Sequence, residues 1–257
     1  MKARGFTLME MIVTIVIGSF IMLGIAGYVQ LGMKGYADTI DRQRIQTQAQ
    51  FVLEKMTREI RHAVPNSFHE PTGTSNCLEF VPIEYSGFYA FSGSTLEFLI
   101  GNDTKLKRIP NERWLVINPS RYEDLFPKNP DNPESSQRIE LKEISRDKVD
   151  EPFIVSVGES SISSSSISSR HYIYQDKSQV RYCFDSGQVL RNNVIVTDSI
   201  DTSASYMRYV EPTLQRGGLV HINLEFLQDG ERSVYQQETN EHGSSVTYAV
   251  TSLKSPL

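Results

Sequence analysis

The chain has only two cysteines in 257 residues, a single tryptophan and five histidines. Cys77 and Cys183 are too far apart in the chain to form a paired metal-ligand motif such as Cys-x-x-Cys. They are either two buried thiols or one long-range disulfide, and a disulfide requires an oxidising compartment. The histidines (His62, His69, His171, His221 and His242) include no helical i, i+4 pair. No GxSxG, HExxH, phosphate-cradling or dinucleotide-binding glycine motif occurs, so the chain reads as non-enzymatic. Positive charge is also in deficit, with 26 Lys and Arg against 31 Asp and Glu, a net charge of −5. No global positive field is present to attract nucleic acid or an anionic membrane surface. At 39% hydrophobic and 22% charged residues, the averages exclude a multi-span membrane protein and wholesale disorder alike. The most informative absence is local. Between Glu10 and Lys34 there is no charged residue at all, an uninterrupted run of 23 positions from Met11 to Met33.

A helix of that length rises roughly 34 Å, enough to cross a bilayer core. Lys2 and Arg4 precede it, and flanking cations stay in the cytoplasm, so the segment is oriented with its N-terminus inside. A secretory signal would have a shorter apolar stretch and an Ala-x-Ala-like end, which this run lacks. Glu10 does not suit a plain anchor. A carboxylate inside a membrane helix costs on the order of 3 kcal/mol and needs a cationic partner. No Lys or Arg follows within the span. A cut after Gly5 would create an amine on Phe6, one helical turn from Glu10, that could pair with Glu10 of the same chain or of a neighbour.

The stretch Gly5-Phe6-Thr7-Leu8-Met9-Glu10-Met11-Ile12, followed by an apolar helix, resembles the processing motif of type IV prepilins and type II secretion pseudopilins. The resemblance implies that prepilin peptidase cuts between Gly5 and Phe6 and that Phe6 becomes the N-methylated first residue. It also implies that Glu10 pairs with the terminal amine of an adjacent subunit during assembly. The partners implied are other major and minor pilins, the prepilin peptidase/methyltransferase and the assembly platform of the inner membrane. The head would lie in the periplasm, with no nucleic acid and no cofactor involved.

The apolar run passes without a break into a second helical stripe. Ile45, Ala49, Val52, Met56, Ile60 and Ala63 recur at helical spacing, and Glu54 precedes Arg58 by four, the favourable ion-pair order. Pro65 ends the pattern. One helix is therefore expected from about Phe6 to about Ala63, roughly 85 Å long at 1.5 Å per residue. Gly18, Gly24, Gly27, Gly32 and Gly35 punctuate its first half. They serve either close helix packing or local melting when the subunit leaves lipid.

From Asn66 the period changes to two. Strands are expected at Cys77–Pro82, Thr95–Ile100, Arg113–Asn118, Phe153–Val157, His171–Tyr174, Val180–Phe184, Val194–Asp198, Tyr206–Val210, Leu219–Phe226, Ser233–Glu238 and Val246–Thr251. Two hairpins are expected, through Asp185-Ser186-Gly187 into Gln188–Arg191 and through Gln228-Asp229-Gly230. Alternation along Leu219–Phe226 puts His221, Asn223 and Glu225 on one side. The fold class expected is α+β, a long N-terminal helix with a membrane-spanning first half, packed on a mostly antiparallel β head. The division is a basic leader at 1–5, a helix at 6–65 with its transmembrane and assembly segment at 11–33, and a head at 66–257.

Two head segments read as exposed loops: Pro127–Glu134, rich in turn residues, and the serine-rich run 158–170, also a candidate boundary between head subdomains. With the head exported, both cysteines meet an oxidising compartment, and a Cys77–Cys183 disulfide is expected. Asp and Glu otherwise read as solvated surface. Asp131, Asn132 and Glu134 form a weak Ca²⁺ pattern without the full EF-hand spacing. Tyr172, Tyr174, Tyr182, Tyr206 and Tyr209 are either core or one glycan-binding face. The layout resembles PilW-type minor pilins and J-type pseudopilins. The first 65 residues and the Cys77/Tyr182-Cys183 pattern resemble the minor pilins of mannose-sensitive haemagglutinin (MSHA) pili. Major pilins are generally smaller, so the bulky head suggests a priming or tip position. The alternatives are a tip adhesin and a minor pseudopilin of a type II secretion system.

Overall fold

The computed structural model describes residues 7–71, 73, 76–127, 138–162, 164–213, 217–228, 231–240 and 245–254. The elements, in chain order, are one α-helix and sixteen strands among the described residues, with two short 3-10 helices at Tyr122–Asp124 and Glu159–Ser161. Helix α1 is Leu8–Arg61. The strands are β1 (Cys77–Phe80), β2 (Tyr85–Ser92), β3 (Thr95–Ile100), β4 (Arg108–Ile109), β5 (Arg113–Ile117), β6 (Arg138–Leu141), β7 (Ile144–Ser145), β8 (Phe153–Val155), β9 (Arg170–Gln175), β10 (Val180–Asp185), β11 (Gln188–Arg191), β12 (Val194–Thr197), β13 (Tyr206–Val210), β14 (Leu219–Gln228), β15 (Glu231–Asn240) and β16 (Ser245–Lys254). The fold is therefore α+β, with one long N-terminal helix followed by antiparallel sheets.

The chain separates into two compact units, Met1–Gln50 and Phe51–Leu257. In the first, the part of α1 up to Met33 is apolar and uncovered: Leu8, Phe20, Leu23, Tyr28 and Leu31 are each at least 70% exposed. Two of its hydroxyls are satisfied within the helix. Thr14 donates to the Met11 carbonyl at 2.9 Å and Ser19 to the Ile15 carbonyl at 2.8 Å. This arrangement suits a helix in lipid, where no water can pair a polar group. A Cβ on Gly18, Gly24, Gly27, Gly32 or Gly35 would meet nothing within 4 Å. Among the described residues, no contact requires those glycines.

In the second unit, the last turns of α1 bury Val52, Met56 and Ile60, and Ala63 just past the helix end is buried too, the latter part of the stripe expected from its spacing. The helix ends at Arg61, and the chain turns into extended contacts: Ala63 bridges Pro82, and the Val64 amide donates to the Val81 carbonyl at 2.8 Å. The strands form four sheets with orders β1-β10-β11-β12, β13-β14-β15-β16, β6-β5-β9-β2-β3-β8 and β4-β7. Every pairing is antiparallel. One core fills the six-stranded sheet around Leu96, Phe98, Leu115, Phe153 and Ile173, and a second gathers Val64, Val81, Val116, Leu125 and Tyr174.

All eleven expected strands lie at observed ones. The β10–β11 hairpin turns on Ser186 (φ 49°) and Gly187 (φ 78°), two left-handed residues of the kind that a tight two-residue hairpin turn requires. The turn residues Asp229 and Gly230 lie outside the described residues, but β14 and β15 pair through to Gln228–Glu231. The serine-rich run is largely exposed, and it joins β8 to β9, two strands of one sheet. It therefore does not divide the head into subdomains. Loop 127–134 falls almost wholly outside the described residues, as do Asp131, Asn132 and Glu134.

Strands β2, β4, β6 and β7 were not expected. Gly87 broke the apparent pattern of β2, and its reason is tertiary. A Cβ there would lie 1.8 Å from the Leu99 carbonyl oxygen, so only glycine permits the backbones of β2 and β3 to approach this closely. Arg146, which the sequence did not distinguish from a surface cation, is buried. Its guanidinium donates to the carbonyls of Leu106, Thr104 and Glu151 at 2.8–2.9 Å and lies 4.7 Å over the Phe153 ring.

Candidate functional site: the N-terminal segment and the helix-end network

Gly5 and Phe6 lie outside the described residues, which begin at Thr7. Helix α1 starts at Leu8, so Thr7 occupies the cap position and Glu10 the third position of the first turn. The Glu10 amide donates to the Thr7 hydroxyl at 3.4 Å and to the Thr7 carbonyl at 3.1 Å. The Thr-x-x-Glu order is that of a capping box. The motif that resembles a processing signal thus also starts the helix. The Glu10 carboxylate sits where the helix dipole favours negative charge, by about 0.3–1 kcal/mol. The residue is exposed, with an uncharged helix beginning immediately after it. The local chemistry is an anion at the edge of an apolar segment, accessible to a cation from outside the chain.

The last turns of α1 carry a second polar group. Glu59 accepts from Arg191 Nε at 2.8 Å, Lys55 Nζ at 2.9 Å and the Tyr182 hydroxyl at 3.1 Å. Burial raises the Glu59 pKa, but the hydrogen bonds and charges of Arg191 and Lys55 outweigh it, and the net shift is downward. Burial and the facing Glu59 carboxylate push the Tyr182 phenol up. Tyr182 precedes Cys183, which is disulfide-bonded to Cys77 across β1 and β10 with a Cα–Cα distance of 4.1 Å. The helix end, the disulfide sheet and the β10–β11 hairpin are thereby joined through one carboxylate.

A parallel arrangement lies on β1. Glu79, nearly buried, pairs with Arg181 Nη2 at 2.7 Å and accepts from the Tyr122 hydroxyl at 3.4 Å. Burial and the Glu79 charge push Tyr122 up to about 12. Asp124 is buried and accepts from the Ser120 amide at 2.7 Å and the Arg121 amide at 3.1 Å. Asn223 and Glu225 are also buried, beneath the segment before β13: Asn223 donates to the Ala204 carbonyl at 2.9 Å, and Glu225 pairs with Arg232. Sequence reasoning placed these carboxylates on a solvated surface. Alternation shows which side of a strand a residue faces, but not that another segment of the chain will cover that side.

The tyrosines do not share one face. Tyr174 and Tyr182 are fully buried, Tyr174 donating to the Leu125 carbonyl at 2.9 Å, whereas Tyr206 is exposed. The histidines are likewise dispersed. His171 is buried in the six-stranded sheet, His69 stacks on Tyr122 with ring centroids 4.6 Å apart, and His221 faces Glu238 at 3.0 Å across β14 and β15. His242 lies outside the described residues. Among the described residues, no three His, Cys, Asp or Glu side chains come together to hold a metal.

Residues 1–26 match the prokaryotic N-terminal methylation motif. No curated protein and no solved structure matches the chain significantly. The motif match, with an apolar helix long enough to cross a membrane and an antiparallel β domain, supports a type IV pilin or pseudopilin-type protein. A protein of that class is processed by a prepilin peptidase and assembles with other pilins. The same features are consistent with a single pass through the inner membrane.

Proposed function

We propose that the chain is a minor pilin of a type IV pilus of the mannose-sensitive haemagglutinin kind, similar in layout to MshO, acting in a priming or tip complex. Its role is structural and non-enzymatic. The observation that carries this reading is the coincidence of Thr7 and Glu10 at the start of an uncovered apolar helix with a large, disulfide-bonded β domain behind it. In this reading the peptidase cuts after Gly5, Phe6 is N-methylated, and the head lies in the periplasm before the subunit enters the fibre. Glu10 registers the incoming subunit on the amine of a neighbouring Phe6. In lipid an unpaired carboxylate is costly, so pairing favours docking. A head of this size is hard to stack repeatedly along a shaft, which supports the tip or priming position.

The test is Glu10→Ala. Membrane insertion and cleavage after Gly5, read by the mobility shift of the mature chain, remain intact, while pull-down of partner pilins and surface piliation are lost. Normal piliation and partner recovery in that variant would refute the mechanism.

A further inference from the structure

Strands β9, β2, β3 and β8 lie side by side in the six-stranded sheet. Residues directly opposite each other on paired strands share a face. The register therefore sets Arg170, Phe88 and Leu99 in one row across β9, β2 and β3. Ala90, Glu97 and Ile154 form the next row, across β2, β3 and β8. On the same face, Tyr172 and Tyr174 of β9 pair with Val116 and Trp114 of β5 and lie in or against the second core, with Val64, Val81 and Leu125. Towards β8 that cover ends. Phe88 is 58% exposed, Leu99 46% and Ile154 56%, with Ala90 exposed beside them. The opposite face of the same strands is buried through Tyr89, Leu96, Phe98 and Phe153. An apolar cluster on three adjacent strands is unlike the single exposed apolar residues scattered over most surfaces, and such clusters mark interaction sites.

Two opposite charges flank the cluster on its diagonal, Arg170 beside Phe88 and Glu97 beside Ile154. Two strand spacings and one two-residue step separate them, roughly 12 Å at the backbone. Among the described residues, neither side chain has an ion pair or a hydrogen bond within the chain. The arrangement is self-complementary. A two-fold axis parallel to the sheet, midway between Arg170 and Glu97 and perpendicular to the line joining them, turns a second copy face to face with the first. Each Arg170 then lies over the Glu97 of the other copy, and each Phe88 meets the other copy's Leu99. Such a contact uses the same patch on both copies and closes at two. A partner without the reciprocal charges would leave Arg170 or Glu97 desolvated and unpaired, at a cost.

We propose that this face is a two-fold interface between two copies of this chain, with Phe88 and Leu99 at its centre and an Arg170–Glu97 pair at each end. No residue of the N-terminal segment takes part, so the inference is independent of the pilus reading and goes beyond it.

The test is sedimentation equilibrium of the full-length chain in a density-matched detergent, so that only protein mass is read. The wild type is expected to show a monomer–dimer equilibrium. Arg170→Glu and Glu97→Arg each set like charges face to face twice, by symmetry, and weaken dimerisation at least about tenfold. The double variant Arg170→Glu/Glu97→Arg and an equimolar mixture of the two single variants both face opposite charges again, and both recover the wild-type dimer. Leu99→Ser removes part of the apolar centre and also weakens it. All three positions are on the surface, and unchanged thermal unfolding shows that each variant keeps its fold. The apolar helix is common to every variant, so a dimer that all of them keep is held elsewhere and overturns the proposal. A wild type that stays monomeric at the highest concentration reached overturns it, as does failure of either the double variant or the mixture to recover. So does a chain that is monomeric alone and binds a different protein through Phe88 and Leu99.

Discussion

His171 makes the head acid-sensitive by a calculable amount. It sits on β9, paired in register with Gly87 on one side and Ile117 on the other, and its ring meets Phe98 edge-on at 5.1 Å. None of it reaches solvent. Burial pulls its pKa from 6.5 down to about 4, with the Phe88 backbone opposing. The folded-state value lies below the unfolded one, so the unfolded chain takes up the proton first. Stability is therefore complete above about pH 6.5 and is lost as the pH falls towards 4. At about 1.36 kcal/mol per unit, the loss is on the order of 3 kcal/mol. For a domain of this size it corresponds to roughly 6–12 °C in Tm. The assay is thermal unfolding of wild type and His171→Leu at a series of pH values between 7 and 4. Leucine keeps an apolar side chain at the site and removes the titrating group, so the wild-type curve falls more steeply than the variant's. Carboxylates titrating in the same range contribute equally to both proteins and cancel in the difference. Parallel curves would show that the buried imidazole contributes nothing to the pH dependence, and the reasoning fails.

Three further outcomes follow from the packing. Glu59→Gln weakens the pairs with Arg191 and Lys55 and costs about 1–2 kcal/mol in urea unfolding after allowance for its partial exposure. Because the folded Glu59 pKa is lowered, that difference persists above the ordinary carboxylate range and vanishes as the pH falls through the folded value; a difference independent of pH would contradict it. Reduction of Cys77–Cys183, or Cys77→Ala/Cys183→Ala, removes a cross-link over a separation of 106 residues and lowers stability by up to about 4–5 kcal/mol; an unchanged urea midpoint with reductant would be incompatible with this. Gly87→Ala drives a methyl group into the Leu99 carbonyl and costs on the order of 3 kcal/mol, whereas a variant that unfolds at the wild-type Tm would disprove the close approach.

The long helix was legible because its determinants are local. An uncharged run, a stripe at 3.6-residue spacing and Pro65 after it are one-dimensional patterns, and α1 ends within a few residues of where they point. The same holds for strands with β-branched and aromatic alternation, such as β14, and for the Ser186-Gly187 turn. Strand β2 was illegible because Gly87 and Ser86 interrupt its pattern, and the two-residue strands β4 and β7 are too short to show a period. Their pairing partners supply the order that their own residues do not.

The N-terminal segment belongs almost entirely to the sequence. The charge gap, the leader cations and Glu10 are features of contiguous sequence, so a linear reading captures them. The head belongs to the tertiary structure. Only the sheet order brings β9, which follows a serine run, between β5 and β2. Only packing buries Asp124, Glu225 and His171, and only the approach of β10 and β11 to the helix end adds Tyr182 and Arg191 to the Lys55 that Glu59 meets on its own helix. The physical reason is range. Caps, spans and turns are fixed by neighbours in the chain, whereas burial depends on the assembled fold, and Glu59 meets Tyr182 and Arg191 across more than a hundred positions.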